Sequence, residues 1–354
     1  MKAYTNAHIF TGNTFLSEHF VLVEDGVIRQ IIHQKNLPGN IQTYDCGGKF
    51  LVPAFIDLQI YGASGKLFSE NPTVESLETL YHHNKTSGTD NCLVAIPTLS
   101  IENIFTCIDA IKQYWAEGGK GILGMHLEGP FINIEKKGAH AQEWIHTPDI
   151  SEVTSLLKKS NGVIKMVTLA PEILNKNIIQ LFLDYNVKVS IGHSNATYEQ
   201  AVDAINAGAT AITHLFNAMS PLHHRAPGII GAAFINKNVN ASIIADGIHV
   251  HYEAIKIAKH MMGDRLFLVT DAVTTSNKKP YQHHLKKDHY EMDNGTLSGS
   301  ALTMFKAVKN IVDNCDMSLA EALRMASLYP AKVLGIENKF GKIDILINNG
   351  GISQ

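Results

Sequence analysis

The sequence predicts an α/β protein: a (β/α)8 TIM-like barrel with a small β-domain formed by the N- and C-terminal segments. Three observations carry that expectation. Eight short apolar runs alternate with amphipathic helical stretches, the pattern of parallel βα units. A hairpin signal lies within the first 49 residues, and strand-like residues return at the other end of the chain.

Residues 1–49 read as the N-terminal part of the small β-domain. In HFVLVEDGVIRQIIH, strand-forming residues flank Asp25-Gly26, a dipeptide suited to a tight hairpin turn. The barrel spans 50–334. Its strands are FLVPAFID, NCLVAIPT, GILGMHLE, IKMVTLAP, KVSIGH, AITHLF, ASIIAD and LFLVTD. Helical stretches such as VESLETLYHHNK, IENIFTCIDAIKQYWAE and YEQAVDAINAG lie between them. The first is introduced by Asn71-Pro72-Thr73 and closed by Gly88. LTMFKAVKNIVDNC and SLAEALRMASLYPAKVLG follow the eighth strand as helices. Residues 335–354, ending in GKIDILINNGGISQ, supply the C-terminal part of the small domain. An open doubly wound sheet is the alternative topology. No GxGxxG follows the first strand, so a dinucleotide fold has no support.

Of 354 residues, 45% are hydrophobic and 18% charged, which suits a folded globule rather than a disordered chain. The net charge of −3 gives no general pull toward nucleic acid or an anionic membrane, so an anionic ligand needs local positive groups. The four cysteines, Cys46, Cys92, Cys107 and Cys315, form no CxxC pair and read as reduced thiols of a cytoplasmic protein. The first residues, MKAYTNAHIF, lack the apolar core of a signal peptide, and no 18-residue apolar window suggests a membrane span.

In a βα barrel the chemistry sits at the carboxyl ends of the strands. Glu128 ends the third run, His193 the fifth and His214 the sixth. Asp246 and His249 follow the seventh, and Asp271 ends the eighth. Singly, each has a plain structural reading: a carboxylate before Gly-Pro is often a loop residue, and a histidine after an apolar run usually packs in the core. Together, one carboxylate and two imidazoles at equivalent positions offer three N/O ligands, which suit a catalytic zinc with an open position for water. Asp271 is placed to take that water's proton. With 18 histidines in the chain, most serve elsewhere; the pairs His82-His83, His223-His224 and His283-His284 read as mainly solvated. KKGAHA puts His140 in the loop after the third strand. FNAMSPLHHRAPG offers Asn217, the Ala218 backbone and Arg225, and LSGSALT brings small residues to a helix start. The first strand tip carries Gln59 and Tyr61, both poor metal ligands, and leaves open whether that tip belongs to a site or simply ends.

The series HLEGPF, KKGAH, GHSNAT, THLFNAMSPLHHRAPG, ADGIHV, VTDAV and GTLSGSALTM resembles the N-acetylglucosamine-6-phosphate deacetylases of the amidohydrolase superfamily, from the N-terminal hairpin to about Gly335. The resemblance implies removal of the acetyl group from N-acetylglucosamine 6-phosphate. It implies one divalent metal ion per chain, zinc first, held by Glu128, His193 and His214. Asp271 is then the acid/base, and His140 orients or polarises the acetyl carbonyl. Substrate-binding contacts fall to Ala139, His140, Asn217, Ala218, Arg225, Asp246, His249, Leu297, Ser298 and Gly299. The implied partner is a small sugar phosphate, with no nucleic acid and no membrane, and the implied assembly is a homodimer. Two departures stand out. Gln59 and Tyr61 replace the His-x-His that many superfamily members carry. After FGKI the chain goes almost directly to DILINNGGISQ, so the small β-domain reads as shortened.

Overall fold

A computed structural model describes residues 1–175, 177–340 and 345–347. The eight apolar runs pair side by side, all parallel and in chain order. They are β1 (Phe55–Ile60), β2 (Thr89–Ile96), β3 (Ile122–Glu128), β4 (Ile164–Leu169), β5 (Lys188–Ile191), β6 (Ala211–Ile212), β7 (Asn240–Ile244) and β8 (Leu266–Val269). A parallel bridge between Ile60 and Ala272 closes the ring, with the Asp271 amide donating to Gln59 O and the Tyr61 amide to Ala272 O, both at 2.9 Å. Each crossover is long enough to carry helix, and the helices cover the outside. That is why the strands are buried on both faces: all six residues of β1 are buried, polar Asp57 and Gln59 included.

The helices start where their caps dictate. Thr73 accepts from the Ser76 amide at the head of Val74–Thr86, and Ser100 does the same for Asn103 at the head of Ile101–Ala116. Thr197 and Gln200 form a reciprocal capping box before Tyr198–Asn206.

The expected first strand, FLVPAFID, is divided. Residues through Pro53 belong to a long strand, Gln42–Pro53, that pairs with Lys2–Phe10 in the small sheet; β1 begins only at Phe55. Asp57 does not end the strand. It is buried within β1, and its carboxylate accepts from the Thr270 amide, the Thr270 hydroxyl and the Gln59 amide. These bonds clasp β1 to β8 across the closure. Burial outweighs them and pushes the Asp57 carboxyl up to about 6.

The small sheet runs Ile345–Ile347, Gln42–Pro53, Lys2–Phe10, His19–Glu24, Val27–His33, with Phe15–Leu16 also pairing with Lys2–Phe10. Asp25 and Gly26, with φ of +53° and +75°, make the tight turn between His19–Glu24 and Val27–His33. Ile345–Ile347 pairs antiparallel with Gln42–Pro53, so segments near both ends of the chain share one sheet. The rest of the tail read as shortened, 341–344 and 348–354, lies outside the described residues.

After β8 the chain makes an unexpected strap: three short antiparallel strands, His284–Leu285, His289–Glu291 and Leu297–Ser300. Helices Met304–Asn314, Leu319–Ala326 and Leu328–Leu334 follow. Among the described residues no helix is long and apolar enough to cross a membrane, and all four cysteines are free and buried.

Candidate active site

Four strand tips converge at the barrel mouth. Glu128 is the last residue of β3, and His193, His214 and Asp271 each lie two residues past β5, β6 and β8. The latter three hold φ of +47°, +33° and +53°, a region that costs a non-glycine residue energy and persists only where the surroundings enforce it. Gly192 makes one of these turns possible, since a Cβ there would stand 2.7 Å from Thr168 Cγ2 and 2.8 Å from Thr213 Cβ. His126, two residues before Glu128, stays inside the barrel. Its ring nitrogens are spent on Leu58 O (2.9 Å) and Thr168 Oγ1 (2.7 Å).

Three donor atoms form a small triangle. Glu128 Oε1 lies 3.0 Å from His214 Nε2 and 3.4 Å from His193 Nε2, and the two imidazole nitrogens are 3.1 Å apart. For metal bonds of about 2.0–2.1 Å, a tetrahedral centre sets its ligand atoms roughly 3.3–3.4 Å from one another, so the triangle is of the right size. His193 Nδ1 donates to Lys136 O at 2.8 Å, which leaves the Nε2 lone pair facing the triangle. His214 Nδ1 is buried without a partner, while its backbone amide donates to Ser242 Oγ at 2.7 Å. Glutamate and two neutral imidazoles are a donor set that fits a divalent transition metal.

By distance alone His140 belongs with Glu128 and His193, their ligand atoms lying within 4.8 Å of one another. Its hydrogen bonds separate it. The Thr98 amide donates to His140 Nδ1 at 3.1 Å, so in the neutral ring Nε2 carries the proton. That N–H stands 3.3 Å from Glu128 Oε2. Burial, with His193 nearby, pushes His140 down to about 4. A neutral ring with its proton on Nε2 is a hydrogen-bond donor into the site rather than a ligand.

The β1 tip is part of this site. Gln59 Nε2 donates to Glu128 Oε1 at 2.9 Å and to Asp271 Oδ1 at 2.7 Å, and the Tyr61 hydroxyl donates to Glu128 Oε2. Where the His-x-His would stand, two neutral side chains grip the two carboxylates. The carboxylates are thereby split in character. Burial opposes charge on Glu128, but His193, His140 and His214 outweigh it and hold its carboxyl well below the usual range. Burial and then the Glu128 charge raise Asp271 well above that range. Two acids pushed apart by their surroundings are equipped for different tasks.

Above these groups opens a cavity of about 280 Å³. Ala139, His140, Asn217, Ala218 and His249 line it from the barrel side, and Leu297, Ser298 and Gly299 from the strap. Asp246 lies behind the wall and fixes His249, its carboxylate accepting from Nδ1 at 2.6 Å and from the backbone amide at 2.8 Å. Arg225 is not in the cavity. It is exposed on the 221–227 loop, where its amide donates to His223 Nδ1 at 3.3 Å. No lysine or arginine among the described residues lines the cavity.

Sequence reasoning gave no role to Thr98 and none to Tyr281, whose hydroxyl accepts from the Ala141 amide at 3.2 Å and donates to Thr98 O at 2.5 Å. It also read His283 as solvated. His283 is 4% exposed and lines the cavity, because the strap folds back through a two-way backbone bridge between Ser276 and His283. No motif marks this: the signal is the length of chain between Asp271 and Leu297.

An amidohydrolase family model matches residues 50–345, and a NagA composite domain model matches 1–51. The N-acetylglucosamine-6-phosphate deacetylase of Haemophilus influenzae is 35% identical, over 97% of this chain and 92% of that one. The N-acetylgalactosamine-6-phosphate deacetylase of Escherichia coli O157:H7 is 33% identical, over 95% and 90%. The crystal structure of N-acetylglucosamine-6-phosphate deacetylase from Pasteurella multocida superposes with a TM-score of 0.93 at 36% identity, covering 97% of this chain and 92% of that one.

Proposed function

The chain belongs to the amidohydrolase family, and on that premise we propose that it hydrolyses the N-acetyl group of N-acetylglucosamine 6-phosphate to glucosamine 6-phosphate and acetate, in amino-sugar breakdown. The observation that carries the proposal is the Glu128–His193–His214 triangle, with His140 and Asp271 facing the same cavity.

Glu128, His193 and His214 would hold one divalent ion, zinc by preference, which would supply the Lewis acidity that polarises the acetyl carbonyl and acidifies water. His140 donates its Nε2–H toward the carbonyl oxygen as negative charge builds there. Asp271 takes the proton of the attacking water and returns it to the sugar nitrogen as the C–N bond breaks, because an unprotonated amine is a poor leaving group. Its raised proton affinity favours the first of these transfers, taking the proton from water. Gln59 holds Asp271 and Glu128 in register by donating to both.

The phosphate needs cationic contacts that the described residues lining the cavity do not supply. We assign Arg225 to it in trans, from the second subunit of a homodimer. A guanidinium grips phosphate with two parallel hydrogen bonds. Leu222, on the same loop as Arg225, and Ile235, at the end of the helix Gly228–Ile235 that follows it, are exposed apolar residues, and they support an interface there. The proposal also divides the chain into a 50–334 barrel and a small β-domain from 1–49 and 335–354, and places the protein in the cytoplasm, where its four unpaired thiols stay reduced.

The similarity to an N-acetylgalactosamine-6-phosphate deacetylase favours one second reading, the C4 epimer as substrate. Acetate release from both sugar phosphates, with unphosphorylated N-acetylglucosamine beside them, tests both readings. Greater kcat/KM for N-acetylglucosamine 6-phosphate supports the proposal; preference for the galacto sugar, or no acetate from any, overturns it.

A further inference from the structure

The cavity has a polar group that the proposed chemistry does not use. His283 is buried on the strap, and its Nδ1 is paired with Ser298 Oγ at 3.0 Å. Its Nε2 has no hydrogen-bond partner among the described residues, and it is not among the fully enclosed polar atoms that lack one. That nitrogen therefore has access to cavity space. The ring cannot swing away easily. His283 N donates to Ser276 O at 2.8 Å and Ser276 N donates to His283 O at 3.2 Å, and the Ser276 hydroxyl is tied to Glu70. The ring also lies nearly parallel to Tyr281, at 20° with 6.3 Å between centroids, and Tyr281 is anchored to Thr98. Among the described residues no hydrogen bond links His283 to Glu128, His140 or Asp271, although all four line the same cavity.

A pinned, cavity-facing nitrogen is what a specificity contact requires: its orientation is fixed before the ligand arrives. Resting on the sugar-phosphate reading above, we infer that His283 is a substrate-contacting residue whose free ring nitrogen hydrogen-bonds a ring hydroxyl of the bound sugar. Ser298 Oγ can either donate to Nδ1 or accept from it, so Nε2 can take either role, and a hydroxyl matches both. A phosphate dianion matches only a donor and gains most from a cation. Burial, with His284 beside it, pushes His283 down to about 4, which leaves the ring uncharged at neutral pH.

The test is binding to metal-loaded Asp271→Asn protein, which holds the sugar without turning it over. Calorimetry would compare N-acetylglucosamine 6-phosphate with its 3-deoxy and 4-deoxy analogues, each with and without His283→Ala. His283→Ala should weaken the full sugar phosphate about tenfold or more, and weaken one of the deoxy analogues less than twofold. An equal loss on all three means that the ring only supports the strap, and no loss on any means that it touches nothing. A loss that vanishes only for unphosphorylated N-acetylglucosamine means that it reads phosphate. Each of these overturns the inference. If His283→Ala does not fold, His283→Asn, whose amide can keep the Ser298 bond but does not reach the Nε2 position, is put through the same comparison, with the same pattern expected. Acetate release by the wild type reports separately on the deacetylase reading. Binding with this pattern but no acetate release would sink that reading and keep the contact, while no binding of any sugar phosphate to Asp271→Asn would sink both.

Discussion

The two walls of the cavity are built differently. On the barrel wall, Glu128, His193, His214 and Asp271 stand at or within two residues of strand ends, and neighbouring atoms fix each one: Lys136 O for His193, Ser242 Oγ for His214, Gln59 for both carboxylates. On the strap wall, Leu297 and Ser298 come from a small sheet of its own and His283 from the segment just before it, which is tied back at a few points such as His283 to Ser276 and Tyr281 to Thr98. The difference teaches where each kind of function is placed. Bond making and breaking demands positions set by the barrel's own hydrogen bonding, whereas choice among sugars can be delegated to a segment that changes without disturbing the barrel.

Changes on the barrel wall should break the chemistry outright. His193→Ala or His214→Ala should strip the metal and remove nearly all turnover, at least a thousandfold, since in the proposed reaction the ion would supply both polarisation and water activation. Metal analysis of the purified variants beside acetate release checks this; metal retained with activity lost would point to a role other than ligation. Asp271→Asn should bind metal and sugar phosphate normally and lose about 10²–10⁴ in kcat. A near wild-type rate would remove Asp271 from the acid/base role.

Away from that wall the losses should become selective. Arg225→Ala should lower kcat/KM for the phosphorylated sugar by about ten- to a hundredfold, the scale of hydrogen bonds to a charged group, and leave unphosphorylated N-acetylglucosamine nearly unchanged. Mixed dimers of Arg225→Ala and Asp271→Asn chains should recover part of the activity if the arginine acts in trans. Equal losses on both substrates would make Arg225 a loop support.

Smaller effects sharpen the contrast. Tyr61→Phe removes one of Glu128's hydrogen bonds and should cost about tenfold in kcat/KM together with weaker metal retention under dilute chelator. Unchanged metal retention would mean that Tyr61 merely fills space. The smallest effect concerns folding. Burial pushes His283 down to about 4 in the folded chain against an ordinary value of about 6.5, so between those values the unfolded state binds the proton that the folded state refuses. Its stability contribution is complete above about pH 6.5 and is lost as pH falls toward 4. The drop in urea midpoint from pH 7 to pH 5 should therefore be smaller in His283→Asn than in wild type.

The barrel wall was largely legible in the sequence and the strap wall was not, for physical reasons. Apolar runs that end in Glu128, His193, His214 and Asp271 announce both the strand and the residue at its tip. The same signal cannot place the break at Ala54, because the apolar run passes through it while the backbone leaves one sheet and enters another. Gln59 and Tyr61 could be seen to be unsuited to metal, but what they grip depends on residues 67 to 212 positions away. His283 sits in a polar stretch and reads as solvated; its burial comes from the strap's pairing. Arg225 lies outside the cavity of its own chain, and its proposed place across a dimer is a property of two chains that no single sequence pattern displays.

The most direct measurement is metal content of the purified protein, taken together with acetate release from N-acetylglucosamine 6-phosphate before and after chelation. The account expects about one tightly held divalent ion per chain, activity lost with it and restored when zinc is returned. Full activity in metal-free protein would contradict it, as would two tight ions per chain with Gln59 and Tyr61 ligating the second.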